Sequence, residues 1–287
     1  MSADARTDFL AGMAAASTQR VRVARQREGD TQIYARARAA RFAPKLVVAP
    51  TGFDLIAEFK PRSPSAGTLV HGERADPAAA AAAAAAYSEA GALAVSVLTE
   101  PASFGGSLAH LKSAARVSAV PVLRKDFLVD PYQVMEARAA GAGGVLLMVR
   151  LVDDPVFDAL RAAADELGLF ALLEAFDRVD LARIAASLLR LPAREPVLVG
   201  VNSRDLSTLA VDSTRLRDLV TSIPAGTLRV AESGLATAGD AAAVARVGYR
   251  LALVGTALMR ASDPAAQIRE LLRAGRAAAG AGAGAGT

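Results

Sequence analysis

The 287-residue sequence predicts an α/β protein, a single closed (β/α)8 barrel with N-terminal capping helices. Eight short apolar runs recur along the chain, each bounded by Gly, Pro or Asp and followed by a helix-length segment. That is the pattern of parallel strands buried on both faces. The eight units fit the length typical of a closed barrel. The turn after the first run reads KPRSPSAG, without the GxGxxG that an open doubly wound sheet would call for.

Residues 1–54 precede the repeat and carry two amphipathic stretches, Thr7–Arg25 and Thr31–Arg41, expected as helices packed on the barrel. The barrel itself is expected over 55–276. Its strands are read at Leu55–Lys60, Leu93–Thr99, Pro121–Phe127 and Gly144–Val149, then at Phe170–Phe176, Pro196–Asn202, Leu228–Gly234 and Leu251–Gly255. Asp76-Pro77 and Asp130-Pro131 each put a capping acceptor ahead of a proline suited to the first helical position. Gly91, Gly141, Gly168 and Gly248 stand just before strands, where a left-handed helix end is wanted. The alanine run Ala78–Ala86 follows such a cap, so it reads as the first barrel helix rather than as low complexity. Residues 277–287 end in AGAGAGT, with no sizeable side chain to bury, and a disordered tail is expected.

Composition narrows the chemistry. The chain has no cysteine, which removes disulfides, thiolate metal sites and cysteine nucleophiles and suits a reducing compartment. Its two histidines, His71 and His110, are too few for a histidine-rich zinc site. The net charge of +4 comes from 33 basic residues interspersed with 29 acidic ones, without a basic run, so no nucleic-acid partner is expected. No signal-peptide pattern or long apolar span is present, which predicts a cytoplasmic protein with no membrane partner.

Catalytic groups of such barrels sit at the carboxyl ends of strands, and strand side chains alternate inward and outward. On strand one Ile56, Glu58 and Lys60 share a face, as do Leu123, Lys125 and Phe127 on strand three and Leu172 and Glu174 on strand five. Asn202 is followed two residues on by Arg204, and Val230, Glu232 and Gly234 share a face on strand seven. Any one strand-end charge is ordinary. Three carboxylates, two lysines and an Asn-x-Arg pair of matching parity on five strands point to acid/base work on an anionic substrate, since so many converging charges are costly unless paired. A second signal is the pair of loops Ser233-Gly234 and Gly255-Thr256, where glycines let backbone N–H groups approach a phosphate. Lys60 and Ser63, on the neighbouring strand, would add a charge and a hydroxyl.

Seven segments then carry a family resemblance: IAEFKPRSPSAG (56–67), SVLTEPASFGGSLAHL (96–111), PVLRKDFLVDPYQVMEARAAGA (121–142), LLEAFD (172–177), GVNSRDLSTLAVD (200–212), VAESGL (230–235) and LVGTALMRASDP (253–264). In this order they resemble the indole-3-glycerol phosphate synthase family over about Asp54 to Pro264. The resemblance implies a TIM barrel that converts 1-(2-carboxyphenylamino)-1-deoxyribulose 5-phosphate to indole-3-glycerol phosphate, CO2 and water in tryptophan biosynthesis, with no metal and no organic cofactor. It implies Lys125 as the general acid of ring closure and Glu174 as the acid/base group of later steps, with Lys60 a rival donor to the departing hydroxyl. Glu58 would anchor the ribulose hydroxyls and hold Lys125 charged, and Asn202 and Glu232 would be further polar contacts. Ser63 and Ser96 fall in the substrate-binding set. Arg204 is similar to the residue near the anthranilate carboxylate, or else braces the mouth by ion pairing. Phe104, Phe127, Leu146, Leu206 and Leu253 would line the slot for the aromatic ring. Two positions depart from the family pattern: Pro61-Arg62, where a basic pair is more usual, and Ala175-Phe176, where a histidine often follows the glutamate.

Two other readings compete. Phosphoribosylanthranilate isomerases rely on a cysteine, which this chain lacks. A catalytically dead scaffold barrel would not need the full set of acid/base residues present here. The expected partner is a small phosphorylated substrate, and a monomer is expected.

Overall fold

The computed structural model describes residues 3–49, 51–69, 76–205 and 208–283. Eight strands close into a parallel barrel: β1 (Asp54–Phe59), β2 (Ala94–Leu98), β3 (Val122–Lys125), β4 (Gly144–Met148), β5 (Phe170–Ala175), β6 (Val197–Asn202), β7 (Leu228–Glu232) and β8 (Leu251–Val254). Each pairs with its sequence neighbours, and β8 closes on β1 through Asp54 opposite Leu251 and Ala57 opposite Val254. All eight lie within the expected runs or one residue from them. Most stop one or two residues early, because the last residues of those runs turn into the loops of the mouth.

Alternation splits the core in two. Ile56, Leu123, Leu146, Leu172, Leu198, Val230 and Leu251 fill the barrel interior. Their neighbours Leu55, Ala57, Val95, Val145, Leu173 and Val199 pack outward against the helices. This is why the strands are apolar throughout rather than alternating. The outer helices are α3 (Pro77–Glu89), α4 (Pro101–Phe104), α5 (Leu108–Val117), α6 (Pro131–Ala139), α7 (Asp154–Glu166), α8 (Arg178–Arg190), α9 (Ser213–Leu219), α10 (Ala238–Arg246), α11 (Thr256–Arg260) and α12 (Pro264–Ala283), following the N-terminal α1 (Ala3–Arg27) and α2 (Asp30–Ala39). Each helix from α3 to α10 opens on a side chain that accepts from a first-turn N–H, Asp76 from Ala79 and Asp130 from Tyr132 among them. Gly91, Gly141, Gly168 and Gly248 all take positive φ at the expected helix ends.

The N-terminal extension is helical where two helices were expected. α2 packs on α6 through buried Ile33 and Ala37. α1 lies against the mouth, its Ser17 hydroxyl donating to the Phe127 carbonyl at 2.5 Å. The tail differs from the expectation. α12 continues through Ala283, well past residue 277, because Ala278 is buried in the outer core and alanine propagates a helix readily; residues 284–287 lie outside the described ones. Among the described residues no helix is long and apolar enough to cross a membrane.

Candidate functional site

Strand parity delivers the charges to one mouth. Glu58, near the end of β1, is buried and faces two ammonium groups, Lys60 at 2.8 Å from Oε1 and Lys125 at 3.4 Å from Oε2. Burial alone would raise the Glu58 pKa, but the two lysines outweigh it and hold the carboxyl below its usual range. Lys125 answers in kind: desolvation would lower it, yet Glu58, Glu174 and Glu232 together raise it well above an ordinary lysine. Lys125 is therefore held in its charged form at neutral pH.

The other two carboxyls behave oppositely. Glu174, on β5, accepts from the Asn202 amide at 2.7 Å, and burial raises its pKa despite Lys125. Glu232, on β7, is raised well above the usual carboxyl range by burial and then by Glu174. Both its oxygens are buried without a hydrogen-bond partner among the described residues. Neighbouring carboxyls pushed up beside one pushed down is the arrangement by which a site keeps an acid and a base together at neutral pH.

The mouth has two adjoining halves that share Lys60, Lys125, Arg204 and Ser233. The first, about 90 Å³, is largely apolar, with Phe104, Phe127, Leu146 and Met148 opposite Glu174 and Asn202. Phe127 is the hub of its aromatic wall, its ring centroid 6.2 Å from both Phe104 and Phe9. The second, about 330 Å³, runs from Glu58 and Glu232 past Leu253 to Ser233, Gly234, Gly255 and Thr256. Ser233 and Gly234 take φ of 67° and 74°, and the non-glycine residue in that region marks stored strain. The N–H groups of Ser233, Gly234 and Gly255 donate to no backbone carbonyl among the described residues. Such a run of free N–H groups can receive an anion.

Of the residues singled out from sequence, two stand apart. Ser96 is fully buried in register with Glu58 and lines neither half. Leu206 lies outside the described residues, as does His71. His110 sits on α5, its ring edge-on to Phe59 outside the barrel, away from the mouth. Arg204 makes no ion pair among the described residues; its guanidinium donates to the Leu209 carbonyl at 2.7 Å, and its N–H to the Asn202 side chain at 2.9 Å. The unusual Arg62 clamps the first loop by donating to the carbonyls of Ala102 and Ser103. The unusual Phe176 lies under the Arg150 guanidinium at 4.4 Å.

Several lining residues were not foreseen. Phe9 comes from α1, Leu209 from the loop after β6 and Arg260 from the end of α11. None shares strand parity with the cluster. Gly200 and Gly255 make room for carboxylates: a Cβ on Gly200 would collide with Glu232 Oε1, and one on Gly255 with Glu58 Oε1.

A family model described as indole-3-glycerol phosphate synthase matches residues 10–271. A protein of that name from Parafrankia sp. (strain EAN1pec) is 44% identical over 221 residues, 77% of this chain and 78% of its own. Another, from Rhizorhabdus wittichii, is 43% identical over 263 residues, covering 89% and 95%. Among solved structures, 3-hexulose-6-phosphate synthase from Salmonella typhimurium superposes with a TM-score of 0.57 at 15% identity, over 78% of this chain and 98% of that one. At that identity the likeness shows the barrel fold alone.

Proposed function

The chain belongs to the indole-3-glycerol phosphate synthase family, and on that premise we propose how its mouth residues divide the family's reaction between them. The substrate, 1-(2-carboxyphenylamino)-1-deoxyribulose 5-phosphate, lays its aromatic ring in the apolar half and its phosphate in the polar half. The ring carbon bearing the carboxylate attacks the ribulose C2 carbonyl, and Lys125 donates the proton that turns the carbonyl oxygen into a hydroxyl. The C–CO2 bond then breaks and its electrons restore the aromatic ring. Loss of the C2 hydroxyl as water, with one proton given up by the substrate, completes the indole.

The observation that carries this reading is the position of Lys125. It borders both halves, so it stands where ring and ribulose meet, and three carboxylates keep it protonated. Glu174 takes the proton released in dehydration, a role supported by its raised pKa and by the Asn202 amide that orients it. Lys60, paired with Glu58, supplies the proton to the departing hydroxyl. The free N–H groups of Ser233, Gly234 and Gly255 receive the phosphate, and Thr256 stands beside them. Arg260, which has no acidic partner among the described residues, adds the opposing charge. Ser63 borders the ring half and contacts the substrate from the first loop. Arg204, without an ion pair among the described residues at the junction of the halves, takes the anthranilate carboxylate. The absence of cysteine supports a place in the cytoplasm.

Single-turnover measurement of carbon dioxide release against indole fluorescence tests the assignment. Lys125→Met should release almost no carbon dioxide, since decarboxylation follows ring closure. Glu174→Gln should release it ahead of indole, with both variants slowed about 10²–10⁴-fold. Strict parallel loss of the two signals in both variants would refute the division of roles.

A further inference from the structure

The LRKDF motif contributes Lys125 to the chemistry, but its neighbours are given no step of the reaction: Arg124 lines neither half of the mouth, and Asp126 borders the ring half beside Phe127. Arg124 and Asp126 form a buried network. Arg124 donates to the Thr99 hydroxyl at 3.1 Å, the Gln133 carbonyl at 2.7 Å and Asp126 at 3.1 Å. Asp126 also accepts from the Thr99 hydroxyl at 2.7 Å and the Phe127 N–H at 2.8 Å. Its remaining partner comes from elsewhere: Arg20, on α1, whose Nη2 lies 2.7 Å from Asp126 Oδ1. The other arm of that guanidinium, Nη1, lies 3.5 Å from Oε1 of Glu100, a fully buried carboxylate that caps α4 through the N–H groups of Ala102, Ser103 and Phe104.

One fork thus spans two loops. Asp126 precedes Phe127, and Glu100 caps the helix that ends at Phe104, while Arg20 rides on the helix that carries Phe9. Those three phenylalanines, from three separate elements, wall the ring half of the mouth. Arg20 itself is not among the lining residues. We propose that Arg20 is a positioning residue that registers Phe9, Phe104 and Phe127 against one another, so that affinity for the aromatic end of the substrate depends on a side chain that never meets it. This rests on reading the apolar half as the place of the aromatic ring.

A mere fastener for α1 would act differently. α1 is held apart from Arg20 by Arg25 to Asp130 and by the Tyr132 hydroxyl to the Glu28 carbonyl, while Ser17, which Arg20 touches at 3.3 Å, ties it to Phe127 and Gln133. Removing Arg20 leaves Asp126 and Glu100 buried with one cation fewer, and that cost falls on the two mouth loops rather than on the helix.

The test uses the full chain and two probes: the substrate analogue whose C2 carbonyl is reduced to an alcohol, and inorganic phosphate, which senses only the polar half. Arg20→Met should weaken the analogue about tenfold while phosphate affinity stays within about twofold. Arg20→Lys should recover only part of the loss, because a single ammonium reaches one carboxylate at a time whereas the guanidinium fork reaches both. Arg25→Met, which removes the ion pair at the far end of α1, should leave both affinities unchanged. If Arg20→Met and Arg20→Lys match Arg25→Met, or lose phosphate as steeply as the analogue, the positioning role is overturned. Phe127→Ala separates the two levels: unchanged analogue binding there refutes the placement of the ring, whereas weakened binding there with none in Arg20→Met refutes only the role of Arg20.

Discussion

Gly200→Ala tests how the barrel interior accommodates the buried Glu232 carboxyl. Gly200 sits on β6 between Glu174 on one neighbouring strand and Val230 on the other. Its backbone is not in the left-handed region, so alanine brings no backbone strain. The difficulty is space: the new Cβ would overlap Glu232 Oε1 and stand 3.0 Å from its Cδ and 3.2 Å from Leu172 Cδ1. Glu232 is 1% exposed where it stands, so relieving the collision means displacing a buried carboxyl from its place beside Glu174 and Lys125. Overpacking of this kind costs about 1–3 kcal/mol. In a chain of this size each kcal/mol shifts Tm by about 2–4 °C, so a fall of about 2–12 °C is expected. Activity should fall by about 10²-fold, the usual consequence of moving a site group by an ångström. A double-mutant cycle by thermal and urea unfolding checks the cause. In a Glu232→Ala background the collision disappears and Gly200→Ala should be neutral or slightly stabilising; in Glu232→Gln, which keeps the shape, the full cost should remain. An equal penalty in all backgrounds would refute the reasoning.

Three further outcomes follow from the same geometry. If Glu174 acts as a base, burial having raised its pKa, the acid limb of kcat should lie above the ordinary carboxyl range near 4.3, with activity lost as pH falls through it; a limb at the ordinary value would contradict this. Arg260→Met should raise KM and weaken competitive inhibition by inorganic phosphate about tenfold each while kcat is kept, and a fall in kcat alone would remove Arg260 from the phosphate half. Chelator-treated protein should keep its turnover, and activity lost to chelation and restored by a divalent ion would refute catalysis by lysine and glutamate alone.

The fold was legible because each strand is buried on both faces, so the apolar runs stand out from the capped helices between them. Glu58, Lys125, Glu174 and Glu232 were legible for the same reason turned around, since a charge on inward parity at a strand end has nowhere to go but the mouth. What parity does not reach is the contribution of other elements. Phe9 and Arg260 arrive on helices placed by contacts between residues far apart in sequence, such as Arg25 with Asp130 for the helix that carries Phe9. The glycines mark the boundary most clearly. Gly255 invites the reading that a bare backbone approaches a phosphate, and its unoccupied N–H agrees with that. Yet its missing side chain is required first by the Glu58 carboxylate, with Lys60 Nζ at 3.1 Å from where a Cβ would stand. The same omission therefore serves the ion pair that charges the site and the loop that would take the anion. A sequence shows that a side chain is absent; only the packed structure shows which atoms occupy the space.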